Sequence, residues 1–172
     1  WRQEALQPVA QKITAAMGAT TGTYTERTLD RPFYGVYYGY AALPMQPDTL
    51  RYLMSDTLAD CTVWNYETNS AGDVYDLAAA QGDDPYALYL SGSVSLLRID
   101  NPNAATDREL IVFRDSFAAS LIPLLSEGYS EITLIDIRYL SPAALGRFLD
   151  FDAQDVLFLY STSVLNDSAT IK

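Results

Sequence analysis

The segment Leu110-Ile111-Val112-Phe113-Arg114-Asp115-Ser116-Phe117-Ala118-Ala119-Ser120 carries a serine where a buried apolar run gives way, through Asp-Ser, to a helical stretch. A serine at such a turn stands at the carboxyl end of a sheet, with its hydroxyl exposed and free helix N–H groups beside it. The chemistry on offer is attack on an acyl carbonyl, with the Ser116 N–H as one oxyanion donor. A serine nucleophile needs a base within hydrogen-bond reach, normally an imidazole held by a carboxylate, and the chain has 0 histidines. Either this is no hydrolase site, or its base lies outside the 172 residues. Spacing alone favours a plainer role for Asp115-Ser116, because both residue types satisfy free N–H groups in a first helical turn.

Two other loops fall at the same end of the expected sheet. One holds Asp136, Ile137, Arg138 and Tyr139, and the other follows Tyr160 with Ser161, Thr162 and Ser163. Asp136 and Arg138 are two residues apart and share a strand face. They suit a substrate carboxylate or hydroxyl, and they suit still better an internal ion pair that fixes a loop. Tyr34, Tyr37, Tyr38 and Tyr40 could stack on sugar rings, although packing is the commoner role of strand tyrosines. Asp83-Asp84 with Asp73 or Asp76 lacks the alternating spacing of a calcium loop.

The elements that position these residues are clearest in the last third. Strand 109–114, helix 116–126, strand 131–137, helix 142–149 and strand 155–160 alternate across short loops, with Pro123 expected to kink the first helix near Ala119. The strands are apolar throughout, as strands covered on both faces are. Right-handed crossovers then imply a three-layer α/β fold, doubly wound and flavodoxin-like, around a mainly parallel sheet. Upstream, residues 2–17 read as an amphipathic helix ended by Gly18, and 19–31 as a polar loop or irregular edge strand. Residues 33–40 read as aromatic strand or packed loop, and a short helix runs from Asp48 to Met54. A strand over 61–67, a short helix over 83–90 and a strand over 94–99 complete the expected order. No internal repeat divides the chain, so one domain over 1–172 is expected.

Composition removes several function classes. A hydrophobic content of 49% with 19% charged residues is that of a folded domain. A net charge of -11 argues against a nucleic-acid groove and against anionic lipid surfaces. Cys61 is the single cysteine, so no internal disulfide forms. No apolar run approaches the roughly 20 residues of a membrane span, so no direct membrane insertion is expected. No cofactor or metal motif is present. The chain opens on Trp1 without methionine and enters at the start of a helix, which reads as the C-terminal portion of a longer protein.

Taken in order, Trp1 with its following helix, Phe33-Tyr34-Gly35, Tyr89-Leu90-Ser91-Gly92, Arg114-Asp115-Ser116-Phe117-Ala118, Asp136-Ile137-Arg138-Tyr139 and Asp155-Val156-Leu157 resemble the DHHW family. That family is similar to the SGNH hydrolases and, more closely, to the alginate O-acetyltransferases. The resemblance implies an exported or cell-surface bacterial protein whose partner is an acylated cell-surface polysaccharide. In those relatives an Asp-x-His-Trp motif precedes the serine, and Trp1 matches its tryptophan. The resemblance therefore puts a catalytic histidine immediately before Trp1 and an aspartate two residues before that. It makes Ser116 the nucleophile and Asp115 the residue that orients the turn, with Gly92 and Asn101 as oxyanion positions. Arg114 stands where the wider superfamily has glycine. The chain alone would then be an inactive fragment of an esterase or O-acyltransferase. The alternative from another class is a non-catalytic glycan-binding or envelope-assembly module, which the acidic surface and the aromatic segment 33–40 motivate.

Overall fold

A computed structural model describes residues 1–35, 38, 44–167 and 169. The core elements are strands β5 (Leu96–Asp100), β6 (Glu109–Arg114), β7 (Glu131–Ile135) and β8 (Asp155–Leu159). Side chains alternate faces along a strand, and β6 uses both. Leu110 and Val112 enter the main core, while Ile111 and Phe113 enter a smaller cluster on the opposite face. Neighbouring β7 does the same, with Ile132 and Leu134 on one side and Ile135 on the other. Each such side chain removed from water contributes about 1.5–3 kcal/mol, so both faces hold this strand pair in register.

Strands β3 (Thr62–Asn65) and β4 (Ser70–Asp73) extend the sheet to the order β4-β3-β5-β7-β6-β8. The expected mainly parallel sheet is corrected here. Only β6/β7 and β6/β8 pair in parallel, while β3/β4, β3/β5 and β5/β7 are antiparallel. The result is a mixed six-stranded α/β sheet. Parallel pairing follows the helical crossovers of the last third, whereas β3 and β4 are joined by the tight turn over 66–69, which permits only antiparallel neighbours.

The main core is closed by α1 (Gln7–Met17), by two 3₁₀ helices over Ser116–Ser120 and Ile122–Gly128, and by a separate hairpin. That hairpin pairs β1 (Thr25–Phe33) with β2 (Asp48–Met54). The short helix expected from Asp48 is therefore a strand. Asp48 does accept from the Thr49 N–H at 2.8 Å, as a cap would, but the ladder to β1 and burial of Leu50 and Leu53 override that local preference. The long helix expected over 116–126 is two short 3₁₀ pieces meeting at Leu121. Pro123 has no N–H and its ring opposes the Ala119 carbonyl, so a continuous α-helix cannot pass. Cys61 is buried at the end of α2 (Asp56–Asp60), one residue before β3. The chain continues past β8 into α3 (Thr162–Asn166). Among the described residues no helix is long and apolar enough to cross a membrane. Tyr34 and Tyr38 lie with ring centres 4.5 Å apart, while Tyr37 and Tyr40 lie outside the described residues.

Gly128 seats the second 3₁₀ helix against the chain after α1. A Cβ there would lie 2.7 Å from the Thr20 carbonyl oxygen. Gly128→Ala is expected to cost about 2 kcal/mol, seen as a lower urea midpoint with an unchanged m value. Buried tyrosines set the alkaline limit. Burial pushes the Tyr86 and Tyr160 hydroxyls up to about 12 and also raises Tyr24, Tyr75, Tyr89 and Tyr129. Their folded values exceed the unfolded value of about 10. The stability they contribute is therefore complete below about pH 10 and lost as pH rises through the folded values. Tyrosinate absorbance from these groups is expected to rise together with loss of circular dichroism. Ionisation near pH 10 with the fold intact would contradict this.

Candidate active site

Strand β6 leads directly into Asp115, a residue that is 1% exposed. Its Oδ1 accepts from the Phe117 N–H at 2.9 Å, capping the Ser116–Ser120 helix. Its Oδ2 accepts from the Ser161 N–H at 2.6 Å, just after β8. The Asp115 N–H adds a long bond to the Leu159 carbonyl, 3.4 Å. One side chain thus ties the serine-bearing helix to the end of the edge strand. Ser116 is the first residue of that helix and is half-buried, and its hydroxyl has no hydrogen-bond partner among the described residues.

Ser116 lines an open cleft of about 540 Å³ whose walls include Trp1, Phe33, Tyr86, Tyr89, Gly92, Ser93 and Phe117. The N-terminal segment is bound tightly to the serine helix. The Trp1 ring lies 5.5 Å from that of Phe117. The Tyr86 hydroxyl is 3.1 Å from both the nitrogen and the carbonyl oxygen of Trp1, and 2.8 Å from Ser120 Oγ. Gln3, fully buried, donates from Nε2 to the Ser120 carbonyl at 2.8 Å and accepts from the Leu53 N–H of β2 at 2.7 Å. A buried amide must be satisfied at both ends, so Gln3 locks segment 1–3 to the helix and the hairpin at once.

Gly92 lines the same cleft as Ser116. It ends a run of three left-handed residues, Leu90 (φ 55), Ser91 (φ 57) and Gly92 (φ 84). Leu90 in that conformation is strained and is held by its N–H to Val74, while Ser91 Oγ donates to Asp76. No hydrogen bond occupies Ser93 among the described residues.

The structure separates the other residues singled out from the sequence. Asn101 follows β5, which runs antiparallel to β7, so it lies at the opposite end of the sheet from Ser116, about a strand's length away. Its amide is spent on the Ser126 and Tyr129 carbonyls and on the Asn103 N–H. Asp136 is fully buried, and both its oxygens accept from Arg138, at 2.9 and 2.6 Å. That hydrogen bonding raises the Arg138 guanidinium pKa. Arg138 walls a separate depression with Tyr139 and Ser163, away from the Ser116 cleft. Arg114 is fully buried and reaches the Val94 carbonyl at 3.0 Å instead of lining the cleft. Its Nε and Nη1 have no partner among the described residues, and burial lowers its pKa. No group of three or more His, Cys, Asp or Glu among the described residues could hold a metal. Gln3, Tyr86 and Ser120 went unread from sequence. Gln3 sits in a short helical turn where nothing local marks burial, and only the Asp84-Pro85 cap hinted that Tyr86 is fixed.

The buried parallel strand β6 of this mixed α/β sheet thus leads into an Asp-Ser turn, and the serine lies in a cleft walled by aromatic rings. Solved structures of similar fold are known. One is a DHHW family protein from Eubacterium siraeum, with TM-score 0.75 and 22% identity, covering 95% of this chain and 57% of that one. Bacillus cereus PatB1 with a sulfonyl adduct matches at TM-score 0.71 and 20% identity, over 96% of this chain and 59% of that one. PatB1 without the adduct named matches at TM-score 0.68 and 19% identity, over 96% and 61%. The chain thus spans about three fifths of the length of the structures it resembles. No family model and no curated protein matches the sequence.

Asp115→Ala takes the acceptor from two half-buried N–H groups and is expected to cost about 2 kcal/mol. Asp115→Asn keeps one acceptor and should fall between the two in denaturant unfolding. An alanine variant as stable as the parent would deny Asp115 this role.

Proposed function

We propose that this chain carries the serine half of an SGNH-like esterase or O-acyltransferase site that acts on acylated cell-surface glycan. The observation that supports it is that Ser116 and Trp1 wall one cleft, with segment 1–3 stitched to the helix that Ser116 begins. A histidine immediately before Trp1 would enter the chain beside that helix, with an aspartate two residues earlier to orient it. Ser116 Oγ attacks the acyl carbonyl while the imidazole takes its proton. The oxyanion is met by the Ser116 N–H, with backbone N–H groups of the Gly92-Ser93 turn as further donors. Collapse expels the sugar alkoxide, which takes the proton back from the imidazolium. Water or a second sugar hydroxyl then resolves the acyl-serine. Asp115 orients the turn and is not the triad acid. In this reading Asp136 and Arg138 support the neighbouring loop, and Asn101 contributes no oxyanion donor. Sulfonyl electrophiles form adducts with activated nucleophiles, so the adduct in PatB1 fits the reactivity expected of Ser116. The reading also takes the protein to be exported and bacterial.

A second reading is a glycan-binding module without catalysis. The stacked Phe33 and Tyr86 rings, 6.0 Å apart, and the lack of histidine favour it. It expects saccharide binding that survives Ser116→Ala and fails in Phe33→Ala.

The deciding assay uses a polypeptide extended upstream through Asp-x-His and offered acetyl esters. Ser116→Ala is expected to lower kcat by at least about 10³-fold and to abolish labelling by a sulfonyl fluoride. Equal rates in parent and variant would sink the enzyme reading.

A further inference from the structure

Tyr86 is held from three directions. Its N–H donates to Asp84 Oδ1 at 3.0 Å, and Pro85 opens the 3₁₀ helix Pro85–Leu88. Its ring lies edge-on to Tyr89 at 4.9 Å and stacks on Phe33 at 6.0 Å. The scaffold therefore delivers the hydroxyl to a fixed point between two chain segments distant in sequence. At that point the hydroxyl's single hydrogen is within reach of the Trp1 carbonyl and of Ser120 Oγ, and its oxygen accepts from the Trp1 nitrogen, which in this chain is the terminal ammonium. Ser120 can complete the set by donating in return. Among the described residues no other group hydrogen-bonds to the Trp1 backbone. Phe117 holds the Trp1 ring and Gln3 holds position 3, but the Trp1 carbonyl is held by Tyr86.

We propose that Tyr86 is a positioning residue: its hydroxyl clamps the Trp1 backbone to the Ser116–Ser120 helix and so aims the residue preceding Trp1 at Ser116. This rests on the reading that an upstream base serves Ser116. The Cα of that base would lie 3.8 Å from the Trp1 Cα. A modest rotation of the Trp1 backbone therefore swings the imidazole by an ångström or more, and misplacement of that size costs about 100-fold in rate. Tyr86 itself exchanges no proton with substrate.

Two measurements separate the clamp from the catalysis. In the 172-residue chain carrying Trp64→Phe, Trp1 is the sole tryptophan. Tyr86→Phe keeps both ring contacts, and is expected to red-shift Trp1 emission and raise its acrylamide quenching about twofold. Unchanged emission and quenching would overturn the clamp whatever the activity. In the upstream-extended protein, Tyr86→Phe is expected to lower kcat about 10- to 100-fold with KM within about twofold and a displaced pH profile. Unchanged kcat would overturn the positioning role even where the emission shifts. Ser120→Ala, which removes one partner of the hydroxyl and leaves the tyrosine in place, is expected to shift both readouts in the same direction by less. If Ser116→Ala equals the parent in the extended protein, the enzyme reading fails and the positioning role falls with it. In that case the fluorescence result still stands as a fact about the clamp.

Discussion

Both oxygens of the Asp115 carboxylate are committed to main-chain N–H groups of different elements, and the arrangement of the cleft end depends on that division. One oxygen starts the helix that presents Ser116, and the other fixes the chain leaving β8. The residue is buried, and losing the carboxylate would take the acceptor from both of these half-buried N–H groups. The apolar strands supply the bulk of the folding free energy. Asp115 converts their shared end into a defined turn, with the serine first in its helix and the edge strand held alongside.

A second set of contacts joins this turn to the beginning of the chain. Gln3, Tyr86 and the Trp1–Phe117 ring pair bind residues 1–3 to residues 116–120 across more than a hundred positions of sequence. These are short-range polar and aromatic contacts in a partly dry setting, where hydrogen bonds are hard to replace by water. They create the cleft by bringing together walls from the N-terminal turn, the hairpin, the left-handed loop at Leu90–Gly92 and the serine helix.

Legibility followed burial. Strands β6 and β7 were readable because a strand covered on both faces must be apolar at nearly every position, whereas β8 is equally apolar but is an edge strand that leaves Val156 and Phe158 exposed. β2 was not, because Asp48 before Leu50 and Leu53 satisfies a helix pattern as well as a strand. The ladder to β1 decided between them. The serine helix is shorter than its spacing implies, because Pro123 breaks it where local pattern predicts only a kink. At the site, Ser116 and Gly92 line one cleft, and Asp115 caps the helix that Ser116 begins. Asn101 does not, because its position depended on whether β5 runs parallel or antiparallel to β7, a matter of pairing that no local pattern carries.

By itself the sequence determined the Asp-Ser turn, the apolar strands on either side of it, the absence of any histidine and the acidic balance. These are properties of residue type and near-neighbour spacing. Tertiary structure alone decided that those strands sit in a mixed sheet, that Gln3 is buried between Ser120 and Leu53, and that Trp1 lies against the helix of Ser116. The physical reason is common to all three. Each depends on which distant groups compete for the same hydrogen-bond partner or the same apolar surface, and that competition is settled only when the chain is closed upon itself.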